Sequence, residues 1–452
     1  MVALLTALGI ILFFLGLLFS VAWHELGHFA TAKMFGIRCT QYMVGFGKTL
    51  WSRKKGETEY GVKLVPLGGY VRMVGMIPPA NRSGDDSGKP MSRWRAMIED
   101  AREASYVELE PGDEDRQFYQ RAPWKRIIVM VAGPAMNLIL AVILFTTVLM
   151  GIGVQQNTTS VDTVATCVLP ADSTQTGCPA DAPPTPASEA GIQPGDRIVE
   201  VDGEPTPDWA AANTAIRESM GPTEVTVERG GETVTLTADL IENQVVARDE
   251  NNDIVYETDA DGEPITDEQG YQIPETESAG FLGITFAQER SPLGAAETAR
   301  VMGDSVVGVA EALVALPSKV DDVFRAAFLG EQRTVDSPVG IVGASRIGGE
   351  VLSQPIPLTD RVVFMVNMLA GVNLFLFAFN MVPILPLDGG HILGALWESV
   401  RRGLARVFRR PDPGPFDVAQ LMPVAYIVVV CFVMFSVMLL IADVVNPVRL
   451  VQ

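Results

Sequence analysis

The chain has 452 residues, 48% hydrophobic and 19% charged, with 54 acidic against 34 basic side chains and a formal net charge of −20. This length allows more than one domain, and the acidic balance without a basic face excludes nucleic acid as an expected partner. Four long apolar stretches exclude a purely soluble protein.

The first apolar run carries no charged side chain from Met1 to Trp23 and ends in His24-Glu25-Leu26-Gly27-His28. Ionisable groups at the edge of a bilayer are costly and mark function. Residues four apart share one face of a helix, so His24 and His28 can meet a single metal ion. Glu25 then lies beside that metal, placed to take a proton from water. Two of the chain's three histidines make this motif, and the third is His391. The run has no basic start and no small-residue cleavage site, so residues 1–35 are expected to be a retained first span, not a signal peptide.

Residues 36–126 hold Arg53-Lys54-Lys55, Lys125-Arg126 and many further cations, which the positive-inside rule assigns to the cytoplasm. Gly45-Phe46-Gly47 and the run from Thr58 to Met73 read as a small glycine-broken sheet. Its apolar character beside a membrane suggests that it dips into the bilayer surface. Val65, Leu67, Gly68 and Gly69 are its candidate substrate-binding residues, since an extended peptide can add a strand to a sheet edge. Pro78 to Asp115 is expected to be a mobile loop with one short helix near Arg93 to Ala104. Residues 127–153 form the second span.

Residues 154–290 are strongly acidic, as expected of an exported domain. Cys167 and Cys178 both lie there, eleven apart. A disulfide between them is compatible with an oxidising compartment, and the sequence leaves the pairing open. Cys431 is expected to be packed inside the last helix. In Gly191-Ile192-Gln193-Pro194-Gly195-Asp196-Arg197-Ile198, Pro194-Gly195-Asp196 predicts a turn, and Arg197 to Val201 predicts a strand. Asp208 is expected to cap a helix reaching about Ser219. Thr223 to Glu228 and Thr233 to Thr237 flank Gly230-Gly231 as a hairpin. This order resembles a PDZ domain. Glu242 to Glu277 is expected to form a solvated acidic insertion, and residues 291–360 to form helices on the outer membrane face.

Residues 361–390 are read as the third span, ending in Asn380-Met381-Val382-Pro383-Ile384-Leu385-Pro386-Leu387-Asp388-Gly389-Gly390. Its prolines break regular helix, which a membrane tolerates only where protein or a wet cavity covers the freed backbone. A catalytic zinc needs three protein ligands and an open position for water. Asp388 is the candidate third ligand beside His24 and His28. Residues 391–418, rich in arginine, are expected to be a cytoplasmic basic loop, and 419–445 the fourth span. Both termini then lie outside the cytoplasm.

These motifs together resemble the site-2 protease family of intramembrane zinc metalloproteases, in particular the bacterial branch that regulates sigma factors. The likeness rests on His24 to His28, the glycine-rich segment near 45–73, Gly133-Pro134 with Asn137, the PDZ-like region, and Asn380 to Gly390. The family's Asn-Pro-Asp-Gly motif falls on Asn380, Pro383, Asp388 and Gly389. Two positions depart from it: Pro386 stands one residue later than in some members, and Lys48 stands where many have proline. One PDZ unit is evident where some members carry two.

The resemblance implies an α-helical polytopic membrane protein with four transmembrane helices, a membrane-associated β segment and an inserted extracytoplasmic PDZ-like α+β domain. It implies a Zn2+ cofactor, Glu25 as catalytic base and Asn380 as a catalytic residue hydrogen-bonding substrate backbone or the oxyanion. The expected substrate is a membrane-spanning protein such as an anti-sigma factor, already trimmed by a first protease. The expected location is the bacterial plasma membrane, with the active site near the cytoplasmic side. The competing reading is a non-proteolytic membrane scaffold whose PDZ region binds peptides, but a scaffold has no need of His24, Glu25, His28 and Asp388.

Overall fold

The computed structural model describes residues 2–79, 93–106, 109–168, 178–179, 182–248, 254–258, 265, 272–331, 333 and 337–448. In chain order, α1 (Val2–Met34) leads into β1 (Cys39–Lys55), β2 (Thr58–Met73), α2 (Arg93–Tyr106) and α3 (Pro123–Thr146). Next come β3 (Val154–Val164), α4 (Pro186–Ala190), β4 (Arg197–Val201), β5 (Glu204–Pro205), α5 (Trp209–Glu218), β6 (Gly221–Arg229), β7 (Glu232–Val246), β8 (Thr276–Phe281) and β9 (Ile284–Ser291). The remaining helices are α6 (Ala295–Ala315), α7 (Lys319–Phe328), α8 (Ile341–Ser353), α9 (Leu358–Asn380), α10 (Asp388–Val407) and α11 (Met422–Val445). Contacts divide the chain into one unit of residues 1–151 with 294–452 and a second of residues 152–293.

Among the described residues of the first unit, four helices are long and apolar enough to cross a membrane, or five if the bent pair α6–α7 is one span: Ala3–Met34, Pro123–Ile152, Leu358–Asn380 and Val418–Val445. A helix satisfies its own backbone hydrogen bonds, and apolar side chains all round let it face lipid. Residues α6 and α7 bracket a 69° bend, where Pro317 interrupts the helical ladder. Cys431 is exposed on α11, contrary to the expected packing, because that span presents most of its surface outward. Within the bundle, Asn373 of α9 is fully buried and donates to Ser20 Oγ of α1 at 2.8 Å, a polar tie between two spans.

Two boundaries differ from expectation. The third span ends at Asn380, and residues 381–387, with Pro383, Pro386 and a cis Leu385–Pro386 bond, form turns before helix resumes at Asp388. Residues 388–407 are then the helix α10 where a basic loop was expected. Its apolar side chains recur at helical spacing, and that periodicity outweighs the arginines between them.

Strands β1 and β2 pair antiparallel and are bent, so that Gln41–Val44 has partners on both sides: Gly69 to Arg72 on one flank, Glu59 to Val62 on the other. The bend begins at Gly45, whose φ of +92° and whose approach to the Val65 carbonyl leave no room for a side chain. The outer part of the sheet is apolar and exposed at Phe46, Leu50, Trp51, Leu64 and Val65. At the turn between the strands, Glu57 is held by Arg116 at 2.7 Å and by Lys33 from the end of α1. The Arg116 guanidinium, aided by Lys33, holds the Glu57 carboxyl down at about 2. Beneath the sheet, Ala32, Ile37, Cys39, Met73, Phe118, Val129 and Ile392 form one core joining α1, β1, β2, α3 and α10. Much of the segment expected as a mobile loop, 80–92 and 107–108, lies outside the described residues, and 93–106 is helical.

The second unit is a seven-stranded sheet in the order β8-β7-β6-β4-β3-β9, with β5 beside β4. Its core is Val161, Ile198, Val201, Val225, Val227, Leu240 and Leu282. Local sequence explains its elements. Asp208 accepts from the Ala211 N–H at 2.9 Å and starts α5, while Gly230-Gly231 turns β6 into β7. Buried Asp196 closes the Pro194-Gly195 turn on the Gln193 N–H and pairs with Arg229, and the Arg229 guanidinium keeps its carboxyl below the usual range. Cys167 and Cys178 are disulfide-bonded. The expected acidic insertion is narrower than 242–277: Glu242–Val246 continues β7, Thr276 opens β8, and residues 249–253, 259–264 and 266–271 lie outside the described residues. A groove of about 810 Å³ runs beside Trp209 and Ile216 of α5 and past Gly280, Phe281, Ile284 and Phe286.

Candidate active site

Nothing between Val2 and Met34 interrupts α1, so His24 and His28 stand one turn apart on one face. Their Nε2 atoms are 3.1 Å apart. Asp388 occupies the first turn of α10, immediately after the proline-broken segment, and its Oδ2 lies 3.3 Å from each of these nitrogens. Among the described residues these three side chains form the one group whose ligand atoms converge this closely, all within 4.8 Å of one another.

The hydrogen bonding around the cluster fits a cation. His28 Nδ1 is 2.8 Å from the Val129 carbonyl, so that nitrogen carries the proton and Nε2 carries the lone pair. Asp388 Oδ2 is buried without a hydrogen-bond partner. Acceptor atoms aimed at a common point repel unless a cation lies among them, and buried orphan acceptors are rare in folded proteins. Two imidazole nitrogens and one carboxylate oxygen are the donor set of a catalytic zinc with one position open.

One face of α3 supports the cluster, through Val129, Gly133 and Asn137 at successive four-residue steps. Val129 supplies the carbonyl that orients His28. Gly133 faces the same ring, and any Cβ there would strike the His28 imidazole. Asn137 is fully buried, with its side-chain amide 3.1 Å from His24 Nδ1 and its Oδ1 unpartnered. Metal binding through His24 Nε2 needs the proton on Nδ1. Asn137 serves this when its amide is turned to present oxygen, which also satisfies the orphaned atom.

Glu25, buried on the same turn as His24, faces the sheet. A Cβ on Gly69 would lie 3.0 Å from Glu25 Cγ and 3.0 Å from the Met43 carbonyl, so the β2 backbone runs against the glutamate. Of the other expected substrate-binding residues, Gly68 is in the left-handed region with the Phe46 ring against it, and Val65 is exposed with Phe46 as its strand partner. Leu67 lies in β2, but its side chain is outside the described residues. Asn380 is the last residue of α9, eight residues before Asp388. Its amide donates to the Leu376 carbonyl at 2.9 Å, within its own helix.

Behind the cluster, Arg126 of α3 forms a buried ion pair with Glu398 of α10, which also accepts from the Phe416 N–H at 2.8 Å. This pair clamps the helix that presents Asp388. In the sequence, Gly133 and Asn137 stand out only through family likeness, Arg126 only as a cytoplasmic cation, and Val129 and Glu398 not at all. A backbone carbonyl leaves no trace in sequence, and a lone asparagine in an apolar run signals a polar partner without naming it.

The model of peptidase family M50 matches residues 12–409. The chain is 34% identical to the zinc metalloprotease Rip1 of Mycobacterium tuberculosis over 98% of its own length and 99% of the relative's. It is 31% identical to the Rip1 of Mycolicibacterium smegmatis over the same shares. The zinc metalloprotease RasP of Shouchella clausii is 26% identical over 84% of this chain and 87% of its own.

Proposed function

This chain belongs to peptidase family M50 and is a zinc metalloprotease with several membrane spans, and from that premise we propose that His24, His28 and Asp388 hold the Zn2+ and that Glu25 is the catalytic base. The observation that carries this reading is the meeting of His24 Nε2, His28 Nε2 and an unpartnered Asp388 oxygen, on helices of membrane-spanning length. When bound, the zinc polarises the scissile carbonyl and lowers the pKa of water to about 7.

The remaining work falls to the protein. Val129 and Asn137 hold the two imidazoles in the tautomer that frees Nε2. Glu25 takes a proton from the attacking water and returns it to the leaving amine. A substrate helix hides its carbonyls in internal hydrogen bonds and must unwind before attack. The edge of β2 at Val65 to Gly69 binds the unwound segment as an added strand, and Gly69 brings that strand beside Glu25. Asn380, at the end of α9, keeps its Oδ1 and second amide N–H for the substrate backbone or the oxyanion while its other N–H holds the Leu376 carbonyl.

The substrates we propose are transmembrane segments of pre-trimmed membrane proteins, anti-sigma factors among them, cleaved near the cytoplasmic face of a bacterial plasma membrane. The cations of residues 36–126 and of α10 favour that sidedness. The second unit is proposed to be an extracytoplasmic PDZ-like filter that excludes large ectodomains, its groove beside α5 and edge strand β9 being compatible with that fold. A scaffold role is not favoured, since it leaves the convergent acceptor atoms without purpose.

The test is zinc content together with cleavage of a single-span substrate. His28→Ala and Asp388→Ala should each lose both metal and cleavage. Full zinc occupancy in Asp388→Ala would remove Asp388 from the ligand set.

A further inference from the structure

Helix α10 has an outer face that no other part of the described chain covers. Leu393, Leu396, Trp397, Val400, Leu404 and Val407 are all exposed, Val407 to 75%. Their spacing places them on one stripe of the helix. Away from the stripe, the N-terminal half of the helix packs on the protein: Ile392 enters the core beneath the sheet, and Glu398 is buried with Arg126. An apolar stripe of this extent on one helix marks a binding surface.

The charges on α10 identify what covers it. Advancing about 100° per residue, Arg401 falls on one edge of the stripe, Arg406 lies well round toward the far face, and Arg409 and Arg410 follow at the helix end. Arg401 is partly buried and donates to the Pro413 carbonyl at 3.1 Å. Arg402 is turned inward onto Glu398 and the Asp412 carboxylate. Arg406, Arg409 and Arg410 are exposed and have no carboxylate partner among the described residues. A span cannot carry this many charges, yet short connections join α10 to spans at both ends, α9 finishing at Asn380 and the last beginning at Val418. Both ends of α10 are thereby tethered to helices of membrane-spanning length.

We propose that α10 lies in the plane of the membrane surface, with its apolar stripe at the acyl boundary and Arg401, Arg409 and Arg410 on anionic lipid headgroups. A helix with an apolar face and an arginine-bearing polar face has the design of an interfacial anchor, and anionic headgroups supply the countercharge that the protein lacks. Because Asp388 is in the first turn of this helix, the lipid surface that seats α10 also sets how firmly that carboxylate is presented. This assignment stands apart from the proteolytic reading, and its readout requires no substrate.

The full-length protein is reconstituted into phosphatidylcholine vesicles with or without phosphatidylglycerol, using lipids brominated in the acyl chains. The Trp397 signal is taken as the difference between wild type and Trp397→Phe. Brominated lipid should quench that signal, with phosphatidylglycerol the preferred quencher. Replacing Arg401, Arg409 and Arg410 by Gln should reduce that preference on the order of tenfold. Trp397 quenched by aqueous acrylamide but not by brominated lipid would overturn the in-plane placement. Equal quenching by the two lipids in wild type would overturn the anionic-surface assignment. Spin–spin broadening between nitroxides at Leu404→Cys, in a Cys431→Ser background, would assign the face to a second copy and also overturn it.

Discussion

Asn137 makes the sharpest claim at the scale of single residues. It sits in an apolar span, fully buried, with its side-chain amide 3.1 Å from His24 Nδ1. If its oxygen fixes the tautomer, Asn137→Ala should weaken zinc binding by roughly 10- to 100-fold, the usual cost of losing such a partner. Competition with a chelator measures this directly. Asn137→Asp keeps an acceptor and should restore most of the affinity, whereas a merely packing role would make both variants alike. Gly133 belongs to the same argument, because the close approach of the His28 ring admits no side chain. The sequence made His24, His28 and Asp388 legible because their chemistry is distinctive and their surroundings are apolar. It concealed Val129 and the Glu398–Arg126 clamp, since a carbonyl is anonymous and an ion pair between residues far apart in the chain needs a fold to bring it together.

At the scale of elements, the β1–β2 sheet is the proposed binding edge for an unwound substrate. Its glycine bends put Gly69 against Glu25 while leaving Val65 exposed. Val65→Pro removes an edge donor and stiffens the strand, so it should abolish cleavage while zinc content stays at the wild-type level. Undiminished cleavage would show that substrate binds elsewhere. Helix α10 shows where local reading failed. Its arginines suggested a loop, yet Leu393, Leu396, Trp397, Val400 and Leu404 carry the helical period, and Ile392 and Glu398 fasten the inner face. Periodicity was the better guide because it reports which side of an element has a partner. The third span is the converse case. Its proline-broken end was legible because proline acts through its own backbone, whatever surrounds it.

At the scale of the molecule, four apolar helices and a β-rich inserted unit were both evident from the chain, because span length and charge asymmetry are set by the bilayer itself. The order of strands in the inserted unit was not, since strand neighbours distant in sequence are chosen by packing of the whole sheet. The size-filter proposal belongs at this scale. Strands β4, β6 and β7 share one sheet with β3 and β9, so the unit has to be removed as a whole. Replacing residues 152–293 by a short flexible linker should permit cleavage of untrimmed substrate. An unchanged demand for trimming would remove the filter.

The central claim is that Glu25 performs proton transfer at a zinc site built from α1 and α10. The most direct measurement compares wild type with Glu25→Gln in purified full-length protein, reading zinc content and cleavage of a single-span substrate together. The account predicts that Glu25→Gln keeps its zinc and loses cleavage by a factor of at least about 10². Cleavage at the wild-type rate, or loss of the metal itself, would contradict it.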